Sequence, residues 1–299
     1  MKIAWSPLYR HQLPPGHRFP MEKYDLIPEQ LLYEGTITQD NIFTPQPVDF
    51  LTASLVHDPV YLQKLLDLNL NEKEIRRSGF PLSAALIERE FLIAGGTLQC
   101  CYHALNDGVS FNIAGGTHHA YADKAEGFCL LNDNAIAAAS LLQKKLASSV
   151  LMVDLDVHQG NGTAHIFKNT PEVFTFSMHA GHNFPMQKEL SDLDIPLPDG
   201  CSDDQYLSTL TMILPELFDQ QKPDFVFFIS GVDVLETDKL GRLKLTKAGC
   251  KERDQLVLKE CHDRNVPVVI TMGGGYSPKI SDIIEAHCNT YRIAQSLYS

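Results

Sequence analysis

The stretch Val150–Leu151–Met152–Val153–Asp154–Leu155–Asp156–Val157–His158–Gln159–Gly160–Asn161–Gly162 decides how this chain is read. It begins as an apolar run, Val150–Asp154, with the length and β-branched content of a buried strand. It ends in carboxylates and an imidazole at alternate positions, followed by a glycine-flanked turn. Side chains at i, i+2 and i+4 of an extended segment project to one side, so Asp156 and His158 are expected to converge on one cation with Asp154 close behind. Carboxylate oxygen combined with neutral imidazole nitrogen suits zinc and its divalent neighbours, whereas calcium would ask for more oxygens.

Outward from this segment, four further apolar runs read as strands: Val109–Ile113, Val173–Met178, Phe225–Ser230 and Val266–Met272. Between them lie amphipathic stretches near Ser83–Ala104, Ala135–Leu146, Asp203–Asp219, Thr246–Arg264 and Ser281–Ser296, the alternation of a parallel α/β sheet with crossover helices. Asp203–Asp204 and Thr246 are expected to open helices, because short polar oxygens accept first-turn N–H groups. Pro14–Pro15–Gly16, Thr44–Pro47 and Arg76–Pro81 mark loops, and the sequence shows no internal repeat, low-complexity tract or linker. The pattern predicts one α/β domain over residues 1–299: an open, doubly wound, mostly parallel β-sheet with helices on both faces. Ligands of such sheets bind beyond the carboxyl ends of the strands, so polar residues just after strands are the ones to inspect.

Three more segments of that kind stand out. Val109–Ile113 leads into Ala114–Gly115–Gly116–Thr117–His118–His119–Ala120, where two glycines let the backbone turn before two adjacent imidazoles, the side chains that exchange protons near neutral pH. Phe225–Ser230 leads through Gly231–Val232 to Asp233, which with Asp156 and His158 makes three protein ligands and leaves a coordination position open for water and substrate. Val268–Met272 leads to Gly273–Gly274–Gly275–Tyr276, whose glycines allow close approach and whose phenol can donate to a developing oxyanion. Neither GxxxxGK[ST] nor GxGxxG is present, which argues against a phosphate loop.

Composition narrows the function further. With 299 residues, 44% hydrophobic and 21% charged, the chain is of ordinary globular type. Its net charge of −12 comes from scattered acidic residues, which argues against direct nucleic-acid binding and leaves a cationic substrate compatible. No apolar run reaches the length of about 18 residues that marks a membrane span, and the opening MKIAWSPLYRH lacks a signal-peptide layout. A cytoplasmic protein is expected, or a nuclear one if eukaryotic. Seven cysteines without CxxC spacing read as reduced thiols used mainly for packing.

These four segments, in this order, resemble the zinc-dependent histone deacetylase family, which has the arginase/deacetylase fold. The motifs are GGTHHA, GFCLLNDNAIAA, DLDVHQGNGT, SGVDVLETDKLG and GGGY, with Trp5–Ser6–Pro7 and Val56–His57–Asp58–Pro59–Val60–Tyr61–Leu62 upstream. The resemblance implies hydrolysis of Nε-acyl-lysine in a peptide or protein. It assigns Asp156, His158 and Asp233 to one Zn²⁺ and Tyr276 to the tetrahedral intermediate. His119 becomes the general base and then acid, and His118, held by Asp154, stays nearer to imidazolium. Gly127 and Phe128, with Phe184 opposite and Gly274, are implied to shape the acyl-lysine tunnel. Asp154, Asp156, His158, Ser177 and Met178 are implied to hold a structural K⁺. Asn161 stands where class I members have Asp, so His119 is expected to be less basic than with a carboxylate partner. Asn161 is similar to class II and class IV members, the stretch DKLGRLKLTKAGCKERDQLV looks most like class IV, the short chain suits class IV-like or bacterial members, and class IV resemblance implies acyl groups longer than acetyl. Rival readings are an acetylpolyamine or other small-amide amidohydrolase, decided by residues between Pro59 and Pro81; a binuclear manganese ureohydrolase; and a catalytically silent acyl-lysine binding module. His103, His165, His262 and His287 read as packing or surface residues, and His179 and His182 as flanking the entrance.

Overall fold

Each apolar run singled out above becomes a strand, and in the central ones alternate residues serve two cores. The computed structural model describes residues 1–298; Ser299, the last residue of the expected domain, lies outside them. The strands are β1 (Lys2–Ala4), β2 (Ile42–Phe43), β3 (Val109–Asn112), β4 (Val150–Asp154), β5 (Val173–Ala180), β6 (Leu193–Leu197), β7 (Phe225–Ile229) and β8 (Val268–Thr271). They form one sheet in the order β2-β1-β3-β8-β7-β4-β5-β6, with every pairing parallel. The helices are α1 (Lys23–Tyr33), α2 (Phe50–Ala53), α3 (Pro59–Leu66), α4 (Glu72–Ser78), α5 (Ala84–Asp107), α6 (Asp133–Gln143), α7 (Asn161–Phe167), α8 (Asp203–Gln221), α9 (Lys247–Asp263) and α10 (Ile280–Leu297).

Leu151, Val153, Val226, Phe228, Val268 and Ile270 pack on one face with Leu210, Leu214, Val257, Leu258 and Ile283 of α8, α9 and α10. Their neighbours Val150, Met152, Phe225, Phe227 and Val269 pack on the other face with Cys100, Cys101, Ala135, Ala138 and Leu141 of α5 and α6. Both faces are therefore covered, which is why these strands read as continuous apolar runs. All seven cysteines are free and buried. Among the described residues no helix is long and apolar enough to cross a membrane.

Several local expectations need correction. Thr246 does cap α9, accepting from the Gly249 N–H at 3.0 Å. The α8 N-cap, however, is Ser202, and Asp203 in the first turn accepts instead from the Thr246 N–H (2.8 Å) and hydroxyl (2.6 Å), tying the starts of two helices together. Arg76 and Arg77 are not loop residues but the last turn of α4, so residues 59–81 are mostly helical. Strands β1, β2 and β6 escape the sequence reading: the first two are three and two residues long, and β6 is a largely uncovered edge containing Pro196.

The register fixes where function sits. Asn112 pairs with Thr271, Thr271 with Ile229, and Ile229 with Asp154. The four adjacent strands β3, β8, β7 and β4 thus end at one level, and they are the four that lead into the polar segments.

Candidate active site

Beyond β4 the chain bends at residues 156–158. The Asp156 N–H donates to Asp154 Oδ1 (3.2 Å) and the His158 N–H to Asp156 Oδ1 (2.9 Å). Carboxylate-capped bends, not the expected strand alternation, bring Asp156 and His158 together. From the end of β7, Asp233 Oδ1 accepts from the Val157 N–H at 3.0 Å. Its Oδ2 is buried without a hydrogen-bond partner and lies 3.2 Å from His158 Nδ1. One ligand atom from each of Asp156, His158 and Asp233 falls within 4.8 Å of the others. Burial disfavours a charged His158, but Asp156 and Asp233 outweigh it and push the imidazole up to about 10; burial and Asp156 raise Asp233 to about 7. Two carboxylates aimed at one buried ring nitrogen, with a lone pair left over, form a donor set that fits a divalent cation in place of the proton. Gly274 closes this floor: its N–H donates to Asp156 Oδ2 at 2.7 Å, and a Cβ there would stand 1.9 Å from Asp233 Oδ2.

The two adjacent histidines come from the loop after β3. A Cβ at Gly116, which has φ +70°, would meet Gly273 N at 2.5 Å, so the loops after β3 and β8 touch through glycine. His118 Nδ1 lies 2.6 Å from Asp154 Oδ2. Burial works against its charge, yet Asp154 and Asp156 prevail and raise it to about 9. His119 Nδ1 donates to Asn161 Oδ1 at 2.6 Å. The amide orientation is fixed because Asn161 Nδ2 donates to the Tyr121 hydroxyl (3.0 Å), which donates to Glu189 (3.2 Å). This tautomer leaves the His119 Nε2 lone pair free. Burial first, then the charges of His118 and His158, drive His119 well below its ordinary pKa. The low basicity expected there comes from burial and the two neighbouring imidazoles, while the hydrogen bond to Asn161 acts the other way.

Tyr276 follows the glycine loop, its N–H donating to Asp238 Oδ2 at 2.6 Å. Burial and the Asp233 and Asp156 carboxylates hold its phenol well above the usual range, so it is a neutral donor. His119, His158, Gly127, Phe128, Phe184 and Tyr276 line one open cleft of about 550 Å³. The Phe184 ring meets the His119 ring edge-on at 5.0 Å, and Tyr276 lies 6.0 Å from Phe128. Gly274 lines a smaller inner cavity of about 40 Å³ with Gly116, His118 and Asp156, which shares His119, Gly127, Phe128, His158 and Tyr276 with the cleft. Ser177 pairs in register with Asp154, which sets Ser177 and Met178 alongside the end of β4. His182 lines the cleft, whereas His179 is buried and bonded to Ser177 Oγ at 3.0 Å.

Sequence reading missed several supporting residues. Lys23 on α1 is buried and donates to the Gly273 carbonyl at 3.2 Å, its pKa lowered to about 8 by burial against the pull of Asp233 and Asp156. Asp133 accepts from the Thr117 N–H (2.9 Å) and hydroxyl (2.6 Å), pinning the histidine loop. Asp133 and Asp238 lie within quoted motifs, so their positions were visible though their roles were not. Nothing in the sequence around Lys23 marked it.

Fold and site together define a parallel α/β protein with a buried Asp–His–Asp centre at the carboxyl edge of its sheet. Comparison with known proteins gives the family. Residues 17–291 match the Histone deacetylase domain, and the chain belongs to the histone deacetylase family. It is 44% identical over 99% of its length, and 99% of the relative's, to an uncharacterized protein of Picosynechococcus. It is 26% identical to Histone deacetylase 2 of Arabidopsis thaliana, over 90% of this chain and 72% of that one. In fold it resembles a crystal structure of an HDAC homologue complexed with SAHA (TM-score 0.85, 23% identity, 99% of this chain and 84% of that one). A second likeness is to an HDAC homologue from Aquifex aeolicus (TM-score 0.84, 23% identity, 98% and 83%). Family membership supports hydrolytic deacetylation as the activity class.

Proposed function

We propose that this protein is a zinc-dependent Nε-acyl-lysine hydrolase, with residues 1–299 forming one deacetylase domain. The observation that carries the reading is the buried, unpartnered Asp233 Oδ2 converging with His158 and Asp156 at the floor of a cleft walled by His119, Phe128, Phe184 and Tyr276. A Zn²⁺ held by Asp156, His158 and Asp233 would supply Lewis-acid polarisation of the acyl carbonyl and a lowered water pKa.

The chain's own groups supply the rest. Phe128 and Phe184 flank the lysine methylenes beside Gly127 and exclude water from them. His119 Nε2 takes a proton as water attacks the carbonyl and returns it to the lysine amine as the C–N bond breaks. Its Nδ1–H stays committed to Asn161, which keeps Nε2 aimed into the cleft. The Tyr276 hydroxyl donates to the oxygen that gains charge. His118, held by Asp154, keeps a positive charge next to the carboxylates. A structural K⁺ at Asp154, Asp156, His158, Ser177 and Met178 would brace the end of β4, in line with the β4–β5 register there. The inner cavity of about 40 Å³ has room for only a few waters, at about 10–15 Å³ each. That favours acetyl over octanoyl or myristoyl groups, against the longer chains implied by the class IV resemblance.

The test is kcat/KM of zinc-loaded protein on one lysine peptide bearing acetyl, octanoyl or myristoyl, with His119→Ala alongside. Acetyl turnover that falls by about 10²–10⁴-fold in the variant is expected for loss of a general acid–base group. Hydrolysis of none of the peptides would overturn the assignment.

A further inference from the structure

The chain carries a net charge of −12, yet the mouth of the cleft is cationic. Arg18, Arg76, Arg77 and Arg242 all line it, and Glu126 is the one acidic residue among the lining groups. These are four of the nine arginines in the sequence. Elsewhere the arginines are committed. Arg89 and Arg253 are buried against Glu90 and Asp254. Arg10, Arg264 and Arg292 pair on the surface with Asp25, Asp219 and Glu34. Arg242 is held by Asp199 at 3.0 Å. Of the nine arginines, all among the described residues, only Arg18, Arg76 and Arg77 have no carboxylate at ion-pair distance, and all three line the same cleft.

Their positions are tied to the tunnel wall. Arg76 and Arg77 end α4, and the Arg77 carbonyl accepts from the Gly127 N–H at 3.2 Å while the Ser78 carbonyl accepts from the Phe128 N–H at 2.8 Å. The Arg18 guanidinium sits over the Phe128 ring, 5.0 Å from its centroid. Any acyl-lysine whose side chain passes Phe128 therefore brings its backbone and flanking residues to these guanidiniums. Unpaired charge of one sign around a cleft raises the local concentration of the opposite sign and repels the same sign. Guanidinium forks also match carboxylates bidentately.

We propose that Arg18, Arg76 and Arg77 select substrates with a carboxylate next to the acyl-lysine, and disfavour basic peptides and acylated polyamines. The inference rests on the hydrolase reading for the identity of the acyl-lysine, but the rim can be tested by binding alone. The carboxylate has two sources, a flanking Asp or Glu and the α-carboxylate of the acyl-lysine itself.

The experiment uses zinc-loaded protein and Nε-acetyl-lysine peptides with blocked termini, flanked by Glu, Ala or Lys, together with single Nε-acetyl-lysine as free acid and as amide. Both Kd by calorimetry and kcat/KM are measured at low and physiological salt. The expected order is Glu over Ala over Lys, spanning about tenfold at low salt and narrowing as salt rises, as befits exposed charges. A free acid that outbinds its amide as strongly as Glu outbinds Ala assigns the carboxylate to the substrate terminus; a Glu preference without it assigns flanking side chains. In R18Q/R76Q/R77Q the Glu-to-Lys ratio should collapse towards one, and in R76E/R77E it should invert, with thermal melting as a check on folding. Equal binding of all peptides, a preference for Lys flanks, or an order that survives the triple substitution would overturn the proposal. The Glu preference in Kd without turnover would leave the rim standing and sink the hydrolase reading; turnover without the preference would do the reverse.

Discussion

The floor and the rim of the cleft are opposites. At the floor, Asp156, Asp233 and Asp154 are buried carboxylates, each held by backbone N–H groups or a histidine, and each placed by the end of a strand. At the rim, Arg18 and Arg76 are exposed, Arg77 is half-buried, and none of the three has a carboxylate partner. The floor is rigid because desolvation makes any misplacement of charge costly. The rim is screened and adaptable, so it can shift preference without deciding whether reaction occurs. The proposed chemistry and the proposed selectivity would thereby be separated along one cleft.

The contrast can be broken most sharply from the floor. Tyr276→Phe removes one neutral donor without disturbing the Asp238 anchor, which holds the backbone, and should lower kcat by about 10²–10³-fold in steady-state assays. An unchanged kcat would take Tyr276 out of the chemistry. A smaller effect is expected from Asn161→Asp. A carboxylate at that position favours the His119 imidazolium, so the His119 pKa rises from its depressed value. Since the neutral ring is the base, the acid limb of the kcat/KM profile should move to higher pH, and a limb that stays put or moves lower would contradict the His119 assignment. The smallest effect belongs to the rim, where the peptide charge ratio changes by about tenfold and falls with salt. A salt response as large for the Ala-flanked peptide as for the Glu-flanked one would erase the distinction between rim and floor.

The same contrast explains what could be read from the sequence. The proposed metal ligands, the paired histidines and the tyrosine lie within a few residues of strand ends, and strands buried on both faces announce themselves as apolar runs. The register that aligns Asn112, Thr271, Ile229 and Asp154 then does the assembly. Even there strand alternation is an incomplete reason, since Asp156 and His158 meet through bends beyond β4. The rim is built from a loop near Arg18, the end of α4 and the segment around Arg242, far apart in sequence and without periodicity. Arg76 and Arg77 sit where the sequence predicts a loop, because a seven-residue helix leaves little apolar pattern. Lys23 was hidden for another reason: a buried lysine looks like any surface lysine until the Gly273 carbonyl it serves is placed beside it.

The central claim is that Asp156, His158 and Asp233 hold one catalytic ion. Calorimetric zinc titration of the metal-free protein against His158→Ala, with metal content measured by mass spectrometry, tests it directly. One zinc per wild-type chain is expected, and a variant that retains little or none after dialysis. A His158→Ala protein that binds one zinc as tightly as wild type would contradict it.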